Sequence, residues 1–234
     1  MTAVTASTPP GKSLRPRLRA DAARNRAQVL AAARTAFREL GTAAPLDEIA
    51  RRAGVNIATL YRRFPDRDAL IAQVVLDGFA VVLDAARTAA QTARTDPLGA
   101  LETFMLSLVD NRETLVLPLI GGPVTNDPQA RDLQRQIAAA LEEVLSAARA
   151  RGAVRPDVAA VDLITTAALV CRPLPHLPQQ QAATLVTRHV GIFLDGLRPN
   201  TTRQLPTAPT HEEVAVHLAP GPPEEAPPSA ASDR

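Results

Sequence analysis

Aromatic residues are scarce: 3% of the 234-residue chain, with one tyrosine, five phenylalanines and no tryptophan. A core of stacked rings is therefore excluded. With 46% apolar residues, the interior must be built from alanine, leucine and valine, which favours helices packed closely on helices. No stretch shows sustained alternation of β-branched residues, so no sheet is expected and the fold class is all-α. The single cysteine, Cys171, excludes an intramolecular disulfide framework and suits a reducing compartment. It ends the apolar run DVAAVDLITTAALVC and reads as a buried small hydrophobe. No apolar run approaches the length of a membrane span, and residues 1–19 lack the apolar segment of a secretory signal. A cytoplasmic protein with no membrane partner is expected.

Signs of catalysis are equally sparse. The four histidines are His176, His189, His211 and His217. Among them the last two are close in sequence, and a separation of six residues on a Pro-rich segment is not metal-ligand spacing. His189 lies beside Val186 and Ile192, where a hydrogen-bonded core histidine is expected. Gly121-Gly122 follows no strand and lacks the Lys-Ser/Thr of a phosphate loop, and no serine stands in a nucleophile elbow. No catalytic residue, no metal and no cofactor is expected, and the protein is read as a non-enzyme.

Charge is distributed unevenly. Residues 1–70 carry 13 Lys+Arg against 6 Asp+Glu, a surplus of seven, and the remainder carries 13 against 18, a deficit of five. A basic N-terminal unit on an acidic body is the footprint of a nucleic-acid reader whose second half has another task. Lys12 is the only lysine among 26 basic residues, a bias to arginine that a GC-rich genome also produces.

The segment 45–64, PLDEIARRAGVNIATLYRRF, is the most informative. Leu46, Ile49, Ala50 and Ala53 form one helix face, and Gly54 stands where a helix ends in the left-handed conformation. Asn56 is a cap for a second short helix, whose core side gathers Ile57, Leu60, Tyr61 and Phe64. Ala58, Thr59, Arg62 and Arg63 fall opposite, with Asn56 at the edge. Small residues let a backbone approach a major groove, and guanidiniums suit guanine edges or phosphates. Asp66 then caps a long helix with Arg67 in its first turn, while Val29, Ala33, Phe37 and Leu40 mark a preceding helix that ends at Gly41. A helix of about seven residues is unstable alone, so its neighbours must clamp it.

Residues 22–79 resemble the DNA-binding domain of TetR/AcrR-type transcriptional regulators. The matching words are FREL at 37–40, LDEIARRAGV at 46–55, ATLYRRF at 58–64 and PDRDAL at 65–70, about a quarter of the chain. The resemblance implies a ligand-responsive, sequence-specific regulator, a repressor that binds a palindromic operator in double-stranded DNA as a homodimer and is released by a small-molecule effector. It carries over DNA contacts to Asn56, Ala58, Thr59, Tyr61, Arg62, Arg63 and Arg67, with Thr59 and Arg62 toward base edges and Tyr61, Arg63 and Arg67 toward phosphates. Many relatives start the second helix with Thr or Ser; here Pro45 stands there and offers no hydroxyl. The alternative is a protein of the same fold that binds a small molecule or protein partner without DNA.

The remaining organisation follows from helical periodicity and proline content. Residues 1–19 read as a flexible basic arm, 20–66 as the helix-turn-helix domain, 67–198 as a helical ligand-binding and dimerisation domain, and 199–234, with eight prolines, as a disordered tail. An apolar cavity is expected from Phe104, Met105, Leu108, Leu119, Leu141 and Leu169, with Thr165, Asp110 or Arg112 as polar contacts; its effector is not identified. Val186, Val190, Phe193 and Leu197 repeat at spacings of 4, 3 and 4, a seam for a partner helix or for the chain's own core. The resemblance favours the dimer.

Overall fold

The computed structural model describes residues 14–115, 127–172, 174, 177–199, 204–210 and 213. Among them are eight α-helices: α1 (Leu14–Leu40), α2 (Leu46–Arg52), α3 (Ile57–Arg63), α4 (Arg67–Thr92), α5 (Pro97–Asp110), α6 (Pro128–Ala150), α7 (Ala160–Val170) and α8 (Gln179–Gly196). No strand occurs among the described residues.

Local chemistry sets the boundaries. Asn56, Asp66, Asp96 and Asp127 each accept a backbone N–H in the first turn of α3, α4, α5 and α6, satisfying donors that have no partner within the helix. Pro97 and Pro128 follow their caps at positions where a missing N–H costs nothing. Gly41 and Gly54 adopt φ of +74° and +66° after α1 and α2, a left-handed conformation in which a Cβ would be strained. Pro45 occupies the N-cap of α2 and makes no side-chain capping bond there.

The apolar faces form two cores. Phe37, Ile49, Leu60, Leu70 and Val74 centre the first, which joins α1, α2, α3 and the start of α4. The second gathers Leu101, Phe104, Met105, Leu141, Val144, Leu145 and Leu163 from α4 through α8. Phe79, midway along α4, packs against both cores. Half-buried Arg34 on α1 donates to Asp77 on α4 at 2.8 Å, and Gln73 supports the same carboxylate at 2.8 Å. Arg38 near the end of α1 pairs with Glu113 beyond α5 at 3.6 Å, a second link between the N-terminal helices and the larger core.

Several expectations change. α1 starts at Leu14, within the segment read as an arm. Pro16 is accommodated there because it lies in the first turn, where its missing N–H has no helical partner. The segment read as a tail also comes close to the larger core: the Leu205 backbone lies near enough to Asp157 to help Arg155 hold that carboxyl below its ordinary value. α4 is long and apolar enough to cross a membrane, a signal that counting uninterrupted apolar runs overlooked because Gln73, Asp77 and Asp84 punctuate it. Leu70, Ile71, Val74, Val75, Leu83, Ala85, Ala86 and Ala89 are buried in the two cores, and Phe79, Val81 and Val82 are half-buried against them.

The seam on α8 turns inward. Val186, Val190 and Leu197 are buried in the chain's own core together with Leu194, and Phe193 is partly buried against it. This happens because α5 and α7 cover that side of α8. His189 is exposed, and its Nδ1 lies 2.7 Å from the Leu185 carbonyl one turn earlier. It is no core histidine, because the 4, 3 spacing that places Val186 and Val190 inside rotates residue 189 outward.

Candidate nucleic-acid interface

α3 is held from one side. Leu60 is completely buried and Phe64 is 4% exposed, both in the first core. Ile57 and Tyr61, expected on the same face, are 36% and 49% exposed. A seven-residue helix presents a narrow line to its neighbours, and of the α3 side chains Leu60 is the one buried in the first core, which leaves the flanks outside it. Tyr61 consequently stands with the polar residues.

Outward, Ala58, Tyr61, Arg62 and Arg63 are exposed and Thr59 is half-exposed. Arg62 Nη2 donates to Thr59 Oγ1 at 3.0 Å, so the two side chains expected at base edges lie together. Arg63 makes no hydrogen bond or ion pair among the described residues. Asn56 Oδ1 accepts from the Ala58 backbone N–H at 2.8 Å, which commits that oxygen to shaping the helix start.

The other cations of this unit are largely occupied. Arg51 donates to both oxygens of Glu48 at 2.7 Å, and Arg52 donates to Glu48 and to Glu39 on α1 at 2.6 Å. Hydrogen bonds from Arg51, then from Arg52, hold the Glu48 carboxyl down to about 2. Arg67, expected at a phosphate, is half-buried and directs Nη1 to the carbonyls of Thr42 and Ala44. It ties the start of α4 to the turn before α2, a connection that motif matching cannot reveal. Within α2 and α3, the guanidiniums without a carboxylate partner among the described residues are those of Arg62 and Arg63 on α3.

The comparisons agree with this geometry. Residues 29–74 match the family model for bacterial regulatory proteins of the tetR family, and residues 96–199 match the model described as transcriptional regulator SbtR-like, C-terminal domain. A TetR transcription regulatory protein from Mycobacterium vanbaalenii is 37% identical, with 77% of this chain and 99% of that one covered and a TM-score of 0.52. The chain belongs to the TetR family. A TetR transcriptional regulator from Streptomyces coelicolor is 30% identical over 75% of this chain and 99% of that one, with a TM-score of 0.51. A tetR-family regulatory protein from Rhodococcus, 19% identical, shares the fold at a TM-score of 0.61, with 76% and 98% covered. Nothing among the curated proteins matches the sequence. As a TetR-family member, the protein is a DNA-binding transcriptional regulator, and its helix-turn-helix is α2–α3.

Residues expected around an effector are not all brought together. Phe104, Met105, Leu108 and Leu141 are buried in the second core. Leu119 lies outside the described residues. Thr165 is exposed, returning its hydroxyl to the Val161 carbonyl at 2.8 Å, and Leu169 is 65% exposed. Both lie one turn apart on the outer side of α7, because Val161, Leu163 and Ala167 take its inner side. Of the polar pair, Asp110 is exposed and Arg112 half-buried. Arg112 is close enough to Cys171 to oppose, weakly, the burial that pushes that thiol up to about 11.

A cleft that periodicity did not reveal opens between α4 and α5. It has a volume of about 420 Å³ and is edged by Asp84, Thr88, Thr103 and Ser107 over Val81 and Phe104. Polar residues four apart on two neighbouring helices, 84 and 88 facing 103 and 107, were the available signal.

Proposed function

We propose that the protein is a dimeric repressor whose two α3 helices read a near-palindromic operator and whose release is triggered by a small molecule. The observation that carries the reading is the outer side of α3, where Arg62 and Arg63 stand exposed without a carboxylate partner among the described residues. The opposite side of the helix is anchored by Leu60 and Phe64. In this reading Arg62, steadied by Thr59, forks a base edge, Ala58 permits close approach, and Tyr61 and Arg63 meet phosphates. Asn56 and Arg67 act mainly by setting the positions of α3 and α4.

Dimerisation is assigned to the outward side of the last two helices. Leu185, His189 and Ile192 are spaced 4 and 3 apart on α8, and Leu169 lies on α7; Leu169 and Ile192 are 65% and 64% exposed. Two large apolar side chains held so far out of the core are what an isologous interface buries. Two-fold symmetry would set the recognition helices about 34–36 Å apart, one turn of DNA. The protein would work in the cytoplasm, where its operator lies.

The effector would act through α4, which shares both cores at Phe79, and through the Arg38–Glu113 contact. Linkage requires that operator and effector weaken each other by one factor, typically 5–150-fold. Fluorescence anisotropy with duplexes from the DNA flanking the protein's own gene tests the reading. Saturable binding of one duplex over a scrambled one is expected, and equal binding of all duplexes would reject a specific operator.

A further inference from the structure

The α4–α5 cleft combines an apolar floor with an exposed carboxylate that has no ion-pair partner among the described residues. Val81 and Phe104 form the floor, and Asp84 and Thr88 face Thr103 and Ser107 across it. The Asp84 carboxylate makes no hydrogen bond or ion pair among the described residues. Arg87, the nearest cation along α4, is turned toward α6, where it donates to Gln136 at 2.7 Å. The Thr88 hydroxyl donates to the Asp84 carbonyl at 2.9 Å, which leaves its oxygen lone pairs facing outward as acceptors. The hydroxyls of Thr103 and Ser107 have no protein partner among the described residues. The cleft is thus rich in hydrogen-bond acceptors and carries one negative charge, on a floor without polar groups.

We propose that this cleft binds a small organic cation, a primary or secondary alkylammonium whose nitrogen sits at Asp84 and whose hydrocarbon chain lies along Val81 and Phe104. An alkylammonium, like a lysine side chain, stays charged at neutral pH, and it brings two or three donors and no acceptor. The carboxylate and the Thr103 and Ser107 hydroxyl oxygens match that demand, whereas an anionic ligand would meet Asp84 with like charge. The volume of about 420 Å³ falls in the range of small-molecule sites. The proposal rests on the effector reading and gives that effector a chemical class. Because Asp84 lies on the helix that also enters the first core, occupancy of the cleft bears on the element that carries both functions.

Isothermal titration of the full chain with hexylamine, hexanol and hexanoate tests the site. Hexylamine is expected to bind saturably and roughly 10-fold more tightly than hexanol, the increment of one charge-assisted hydrogen bond, and hexanoate is expected not to bind. Asp84→Asn should remove that advantage while leaving hexanol binding and the thermal midpoint unchanged, since Asp84 is exposed and unpaired; Asp84→Glu should keep much of it. Equal binding of amine and carboxylate, an unaffected Asp84→Asn variant, or no saturable binding would overturn the site. Operator anisotropy separates the two layers of the reading. Release by hexylamine in the wild type and not in Asp84→Asn supports both. Asp84-dependent binding that leaves operator affinity unchanged upholds the cation site and rejects its role as the effector site.

Discussion

Replacing Arg62 by alanine isolates the direct readout of sequence. Arg62 is exposed, and its described interaction within the chain is the 3.0 Å bond to Thr59 Oγ1. Removing it leaves no buried group unsatisfied, so stability should change by less than about 0.5 kcal/mol. A guanidinium that forks a guanine contributes about 1–3 kcal/mol of discrimination. A dimer reads two half-sites, so the loss on the operator doubles to about 2–6 kcal/mol, a fall in affinity of roughly 30-fold to 10⁴-fold. On scrambled duplex the loss should be far smaller, and the slope of log affinity against log salt should stay the same. Anisotropy titrations with both duplexes at two or three salt concentrations measure all of these quantities. An equal loss on both duplexes, with the slope shallower by about 0.9 for each half-site, would make Arg62 a phosphate contact and refute its assignment to a base edge.

Other tests address the scaffold. Ile192→Asp should convert the dimer to a monomer in sedimentation velocity and abolish operator binding at nanomolar protein, since Ile192 is 64% exposed and contributes little to the chain's own core; a variant that remains dimeric would move the interface elsewhere. Cys171 is 2% exposed and its thiol is pushed up to about 11 by burial, so it should resist iodoacetamide at pH 8 until the protein is denatured; rapid native labelling would contradict that placement. Glu48→Gln should lower stability by a constant amount above about pH 5. That difference should shrink as pH falls from the ordinary 4.5 toward about 2, because a carboxylate with a depressed pKa contributes only while ionised; a difference that persists at pH 2 would point to packing instead. Ending the chain at Arg198 removes the Leu205 backbone from beside Asp157 and should lower the thermal midpoint slightly, and an unchanged midpoint would show that this approach is idle.

The family, the all-helical class and the order of helices up to α4 could be read from residues alone. These features are written in short-range chemistry. Gly54 ends one helix and Asn56 begins the next, Asp66 caps α4, and the words LDEIARRAGV and ATLYRRF keep fixed spacing. Such signals act within a turn of the chain and survive without knowledge of what lies opposite. Which face of each helix is covered depends on neighbours far away in sequence, and tertiary structure decided it. Periodicity identified an apolar stripe on α8, but only packing against α5 and α7 turned Val186 and Val190 inward and left Ile192 outside. The same holds for Tyr61, left half in solvent because the core takes up Leu60 and not the flank of α3, and for Arg67, drawn to carbonyls 23 and 25 residues away. Asp84 became a candidate anchor through the cleft that α5 forms beside α4, because a carboxylate gains chemical meaning from the acceptors, donors and apolar surface that the fold places around it.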